Sequence, residues 1–133
     1  MFQEIMESRG YDVEDVSGNP DYWYKDIDFI ITSPTTGEVK TFEVKWDSRI
    51  NNTGNLYLER TSTHSKGGKG WFEFCEADYL AYGDAVSGQF YIIPMKDLRQ
   101  AADNLPYRHA QCGYDSTGQL VALGNIEEIT YLL

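Results

Sequence analysis

Residues 25–47, KDIDFIITSPTTGEVKTFEVKWD, alternate polar and apolar side chains on both sides of a Ser-Pro-Thr-Thr-Gly-Glu segment. A period of two belongs to a strand, in which every second side chain shares a face. Ile27, Phe29 and Ile31 alternate with Asp26, Asp28 and Ile30, and Phe42, Val44 and Trp46 alternate with Thr41, Glu43 and Lys45. Pro34 suits the first position of a turn and Gly37 a position of positive φ, so the two runs predict a β-hairpin. With the loop centred between Thr35 and Thr36, Asp28 falls opposite Glu43 and Asp26 opposite Lys45. A bulge at Gly37 would slip that register by one residue. Two carboxylates and a lysine then share one cleft at cross-strand spacings of roughly 5 Å, close enough for the acids to share a cation or to repel each other without one.

The segments DIDFII and FEVKW resemble the PD-(D/E)XK nuclease superfamily, whose signature is an aspartate at the head of one strand followed by Glu-x-Lys within the next. The matching residues are Asp28, Glu43 and Lys45. The leading proline of the signature is absent, and Asp26 competes with Asp28 for the motif aspartate. Asp28 is preferred because it directly precedes the apolar run. The likeness spans about residues 1–93 and takes in two further features of small phage and prophage nuclease-like proteins: a Gly-Asn-hydrophobic-Glu strand, Gly54 to Glu59, and a Gly-Trp…Ala-Asp segment, Gly70 to Asp78.

The resemblance implies a restriction-endonuclease-like α/β fold, with a mixed central β-sheet flanked by α-helices. It also implies a metal-dependent endonuclease that hydrolyses DNA, in recombination, junction processing or defence. Asp28 and Glu43 would offer hard oxygen ligands to Mg²⁺, for which Mn²⁺ can substitute. Lys45 would orient the attacking water or neutralise charge developing on the phosphate. Relatives place a further glutamate on the first helix, a role open to Glu4 or Glu7, whose alternative is an exposed charged face. The same site chemistry permits RNA, and cutting two strands would call for a homodimer.

The remaining chain is consistent with one domain over residues 1–133, with enough apolar content, 41%, for its own core. Residues 2–9 place Phe2, Ile5 and Met6 on one helical stripe before Gly10. A strand follows around Tyr11 and Val13, then a loop GNPDYWY, and, after the Glu-x-Lys strand, a polar and mobile connection DSRINNTG. NLYLER reads as a strand with Leu56 and Leu58 inward, and Glu59 would extend the acidic cleft if that strand lay beside the motif strand. QFYIIPM reads as a buried strand stopped by proline, MKDLRQAADN as a helix carrying Lys96 and Arg99, and QLVAL as a strand after a turn at DSTG. Cys75 and Cys112 lack the spacing of a disulfide framework or zinc site and read as reduced packing residues. Without a membrane-length apolar run or signal peptide, the expectation is a soluble, cytoplasmic protein.

Charge argues the other way. Eleven basic residues against 21 acidic ones leave −10, whereas a phosphate binder usually carries the opposite sign. The distribution is uneven, since residues 45–70 hold Lys45, Arg49, Arg60, Lys66 and Lys69 against only Asp47 and Glu59. Glycines and hydroxyls in TSTHSKGGKGW suit a loop that contacts phosphates, so Arg49, Arg60, His64, Lys66 and Lys69 are the candidate nucleic-acid contacts. The acidic remainder keeps a rival in play: a non-catalytic interaction protein on the same fold, a DNA mimic or inhibitor that binds a basic partner.

Overall fold

The computed structural model describes residues 1–62, 68–105, 109–112 and 116–133, with 109–112 and 116 described by backbone alone. Its first half contains α1 (Phe2–Ser8), β1 (Asp12–Asp15), α2 (Pro20–Trp23), β2 (Phe29–Thr32), β3 (Val39–Asp47), α3 (Ile50–Thr53) and β4 (Asn55–Ser62). The second half contains α4 (Trp71–Phe74), β5 (Tyr79–Asp84), β6 (Phe90–Pro94), α5 (Met95–Asn104), β7 (His109–Cys112), β8 (Ser116–Ala122) and β9 (Tyr131–Leu132).

The hairpin forms in the expected register. β2 and β3 are antiparallel with Phe29 opposite Phe42 and Thr32 opposite Val39, and Gly37 takes φ 71° in the turn. β1 pairs on the outer side of β2. On its other side β3 runs parallel to β5, giving a six-stranded mixed sheet in the order β1-β2-β3-β5-β6-β9. β4, β8 and β7 form a separate three-stranded sheet, so the place beside the motif strand belongs to β5 and not to β4.

Because side chains alternate along each strand, the large sheet feeds two cores. On one face, Ile31, Phe42, Ala81, Phe90 and Ile92 are covered by Phe2 and Met6 of α1. The Phe2 ring lies 5.4 Å from that of Phe42 and 5.5 Å from those of Phe29 and Phe90. On the other face, Ile27, Leu80, Tyr82 and Ile93 pack against Leu56 and Leu58 of β4, Val121 of β8, Phe72 of α4 and Leu98 of α5. This second core carries the candidate site at its margin.

Two short helices form where the sequence predicts loops, and local chemistry explains both. Pro20 opens α2 and the Asn19 side chain accepts the Asp21 amide at 3.0 Å, a proline start with an N-cap. The stretch expected to be mobile folds into α3, because the Asp47 carboxylate accepts the amides of Arg49 and Ile50, and Gly54 at φ 68° ends the turn.

Arg60 needs a correction as well. It is not presented to a nucleic acid, since its guanidinium lies 2.6 Å from both Glu73 Oε1 and Gln119 Oε1 and stacks 4.6 Å over the Phe72 ring. It ties β4 to β8 and α4. Arg99 similarly donates to the carbonyls of Phe72 and Cys75. No helix among the described residues is long and apolar enough to cross a membrane.

Phe2→Ala should empty the α1 core and destabilise the protein by about 3–5 kcal/mol in urea unfolding. Glu7→Ala, on the exposed side of the same helix, should change stability by no more than about 0.5 kcal/mol. Equal effects would mean that α1 does not anchor that face.

Candidate active site

Phe42 of β3 packs on the α1 side of the sheet, with Val44 against the same cluster, so the intervening Glu43 and the next residue Lys45 project to the opposite face. There the Lys45 Nζ lies 3.2 Å from Glu43 Oε1 and 3.8 Å from Asp26 Oδ2. The side chains of Glu43, Asp26 and Lys45 are 4%, 19% and 29% exposed. Asp26 reaches the cluster from an unusual backbone. At φ 54° it is the only non-glycine with positive φ among the described residues. That conformation costs about 1–2 kcal/mol for most side chains and is best tolerated by Asp and Asn. It is held on both sides, by the Glu76 amide on the Lys25 carbonyl (2.7 Å) and by the Cys75 thiol on the Asp26 carbonyl (3.3 Å).

Asp28 stands next to this cluster with one oxygen already engaged. Its Oδ2 accepts the Val44 amide at 3.0 Å, and its own amide donates to the Phe42 carbonyl at 2.9 Å. The side chain thereby supplies a strand partner where β2 leaves β3.

Burial dominates the electrostatics. It pushes the Glu43 carboxyl up to about 9, helped by the charges of Asp26 and Asp28 and opposed by Lys45. Burial also raises Asp26 against the pull of Lys45. For Lys45, burial lowers the pKa, but the carboxylates of Glu43 and Asp26 outweigh it and the ammonium is held above its ordinary value. Asp26 Oδ2 and Glu43 Oε2 are both buried without a hydrogen-bond partner. Orphaned buried oxygens cost about 1–3 kcal/mol each and call for an explanation.

A hard cation fits that donor set. Among the described residues no three or more His, Cys, Asp or Glu side chains form a ready-made cage. Mg²⁺ does not need one, because it is commonly held by one or two carboxylates together with water and substrate phosphate.

The site is walled by a contact that sequence reasoning did not assign. Trp71, which enters the sequence analysis only as part of the Gly-Trp…Ala-Asp segment and the TSTHSKGGKGW stretch, places its ring 5.0 Å from Lys45 Nζ, a cation–π contact. Gly70 makes this approach feasible, since a Cβ there would sit 2.3 Å from the Glu59 carbonyl oxygen. The Trp71 amide then donates to Glu59 Oε1 at 3.2 Å, which brings the half-buried Glu59 to the margin of the cluster from β4. The signal available beforehand was the Gly-Trp pair following a lysine.

Other expected residues lie elsewhere. Glu4 and Glu7 are exposed on α1, which covers the face of the sheet opposite Glu43 and Lys45. Phe2 and Met6 take that helix's inward side, so neither glutamate reaches the cluster. Arg49 is exposed beside the site, and Lys69 is exposed at a bridge with Thr61. His64 and Lys66 lie outside the described residues. Cys75 is buried in the core, which pushes its thiol up to about 12 and leaves it inert at neutral pH.

No family model and no curated protein matches the chain. Among solved structures, the fold is similar to that of a bacterial homing endonuclease, I-Ssp6803I, with a TM-score of 0.52 over 89% of this chain and 69% of that one, at 16% identity. The likeness establishes the fold class, a mixed central sheet flanked by helices.

The raised Glu43 pKa has a defined sign. Folding holds the proton more tightly than the unfolded chain does, so this stabilisation is full below Glu43's ordinary value of 4.5 and is lost as pH rises towards about 9. In EDTA, the melting temperature of the wild type should fall relative to Glu43→Gln between about pH 5 and 9. A constant difference across that range would show that Glu43 is ionised throughout.

Proposed function

We propose that the chain is a metal-dependent nuclease of the PD-(D/E)XK type that hydrolyses phosphodiester bonds in DNA. The observation that carries this reading is the buried cluster, in which two carboxyl oxygens without a hydrogen-bond partner flank a lysine, that of Asp26 lying at ion-pair distance from it. Support comes from a fold similar to that of a homing endonuclease. Glu43 and Asp26, with Asp28 beside them, are the residues that would hold Mg²⁺ or, in its place, Mn²⁺. A bound divalent ion supplies Lewis-acid polarisation of the phosphate and a lowered water pKa.

The chain's own residues do the rest. Glu43, Asp26 and the Trp71 ring fix the Lys45 ammonium, which places a compact positive charge where a phosphate becomes more negative in the transition state. Because the cluster is recessed, this charge acts in a medium less screening than water.

A second reading is favoured by the net charge of −10 and by the exposed Asp12, Glu14 and Asp15 on edge strand β1. On that reading the fold presents an acidic surface to a basic protein and leaves nucleic acid intact.

The deciding assay is nicking of supercoiled and branched DNA with Mg²⁺, Mn²⁺ or EDTA. Wild type should cut only with metal, and Glu43→Gln and Lys45→Ala should each slow cutting by about 10²–10³-fold at unchanged fold. Asparagine also tolerates the left-handed backbone, so Asp26→Asn removes the charge alone and should lose most of the activity. Asp28→Asn retains an acceptor for the Val44 amide and should be milder; the reverse order would assign the cation to Asp28. A folded wild type that cuts no DNA and binds a basic protein would establish the second reading, and cutting confined to RNA would change the substrate.

A further inference from the structure

Lys45 belongs to the carboxyl cluster and also to a neighbouring groove of about 440 Å³, whose lining includes Arg49, Asn55, Tyr57, Trp71 and Leu120. With Glu43 4% and Asp26 19% exposed, a phosphodiester lying on a flat surface would not meet these acids. It has to enter a recess, and this groove adjoins Lys45. The volume falls in the range of roughly 300–1,000 Å³ that accommodates one small organic molecule. A nucleotide is of that size, and a double helix is far larger.

The chemistry of the lining narrows the occupant. Lys45 and Arg49 are its cations. Asp47, the single acid among the described lining residues, is already spent, with Oδ1 accepting the Arg49 and Ile50 amides and Oδ2 accepting the Tyr82 hydroxyl. The described lining itself carries two cations against one acid in a chain of net charge −10. Since the Lys45 ammonium is shared with Glu43 and Asp26, the exposed Arg49 is the group freest to meet an anion. The Tyr57 and Trp71 rings and the Leu120 side chain add apolar surface, against which a flat heterocycle can stack. The Asn55 amide brings one donor group and one acceptor within the same lining.

We propose that this groove takes one unpaired nucleotide of a DNA strand, with the base against Tyr57 and Trp71 and the phosphate at Lys45. The substrate is then single-stranded or locally unpaired DNA and not an intact duplex. The inference rests on the nuclease reading for what happens at the phosphate, and on the groove alone for how the base is held.

Binding and cutting are measured separately. In EDTA, the full chain is titrated against a labelled single-stranded oligodeoxynucleotide and against the same sequence as a blunt duplex, with fluorescence anisotropy as the readout. The single strand should bind at least tenfold more tightly. Leu120→Trp, which fills the groove from β8, should abolish that preference. Arg49→Glu, at an exposed side chain, should weaken single-strand binding at least tenfold with an unchanged melting temperature, and it keeps the test decisive if the tryptophan variant fails to fold. Equal affinity for the two forms, or wild-type affinity in the variants that fold, overturns the groove assignment.

Cutting is then assayed in Mg²⁺ on single-stranded, flapped and fully paired DNA. Cleavage of paired DNA as fast as of unpaired DNA overturns the groove assignment and leaves the nuclease reading standing. Single-strand preference in EDTA with no cutting of any substrate supports the groove and overturns the nuclease reading.

Discussion

Holding Glu43 at 4% exposure beside Lys45 and Asp26 sets the terms for the surrounding structure. Removing ionised groups from water costs several kcal/mol each unless neighbours offset it. Here one ammonium serves two carboxyls, so one negative charge is matched and the second carboxyl is forced towards its protonated form. That imbalance fits with burial raising both acids, and with each retaining an oxygen that has no hydrogen-bond partner. A core with no task would replace such a cluster with apolar side chains of the same volume, at little cost or with a gain. Its presence, together with a strained Asp26 backbone that only aims one more carboxyl inward, favours a site built to receive a charged ligand.

The scaffold is arranged to keep this cluster in place. β3 pairs with β5 all the way from Phe42 to Asp47, which pins the Glu43 and Lys45 backbone from that side, whereas β2 pairs only as far as Phe42 and the Asp28 side chain takes over at the Val44 amide. Across the site, the network of Arg60 with Glu73, Gln119 and Phe72 locks β4 to α4 and so fixes the Trp71 ring against Lys45. Arg60 thus serves the site by holding its wall.

What could be read from the sequence follows the range of the interactions involved. The hairpin, its register and the meeting of Asp26 with Lys45 were legible because a period of two and a Pro-Gly turn are written within about twenty adjacent residues. The helix over Met95–Asn104 and the inward Leu56 and Leu58 were legible for the same reason. The fate of Arg60 was not. A basic residue in a basic window looks like a phosphate contact until Gln119, distant in sequence, supplies its partner. The engaged oxygen of Asp28 depends on a local parting of two strands that alternation does not encode. Glu4 and Glu7 were misplaced because periodicity gives the inward side of α1 but not the face of the sheet on which the helix lands. Trp71 was underread because its role depends on Gly70 meeting a backbone carbonyl of another strand.

The parallel pairing of β3 with β5 demands a long crossover, and here it is residues 48–78, the stretch that holds α3, β4 and α4. The acids and the lysine all precede it, within the hairpin, while Arg49, Asn55, Tyr57, Glu59 and Trp71 all lie inside it. The proposed reactive groups and most of the proposed ligand-facing wall therefore occupy separate, contiguous stretches of chain. Divergence could redraw one without rewriting the other: substitutions or insertions between residues 48 and 78 would change what is gripped while the charged cluster stayed intact. The Lys45–Trp71 contact is the seam between the two, and it limits how freely such exchanges can occur.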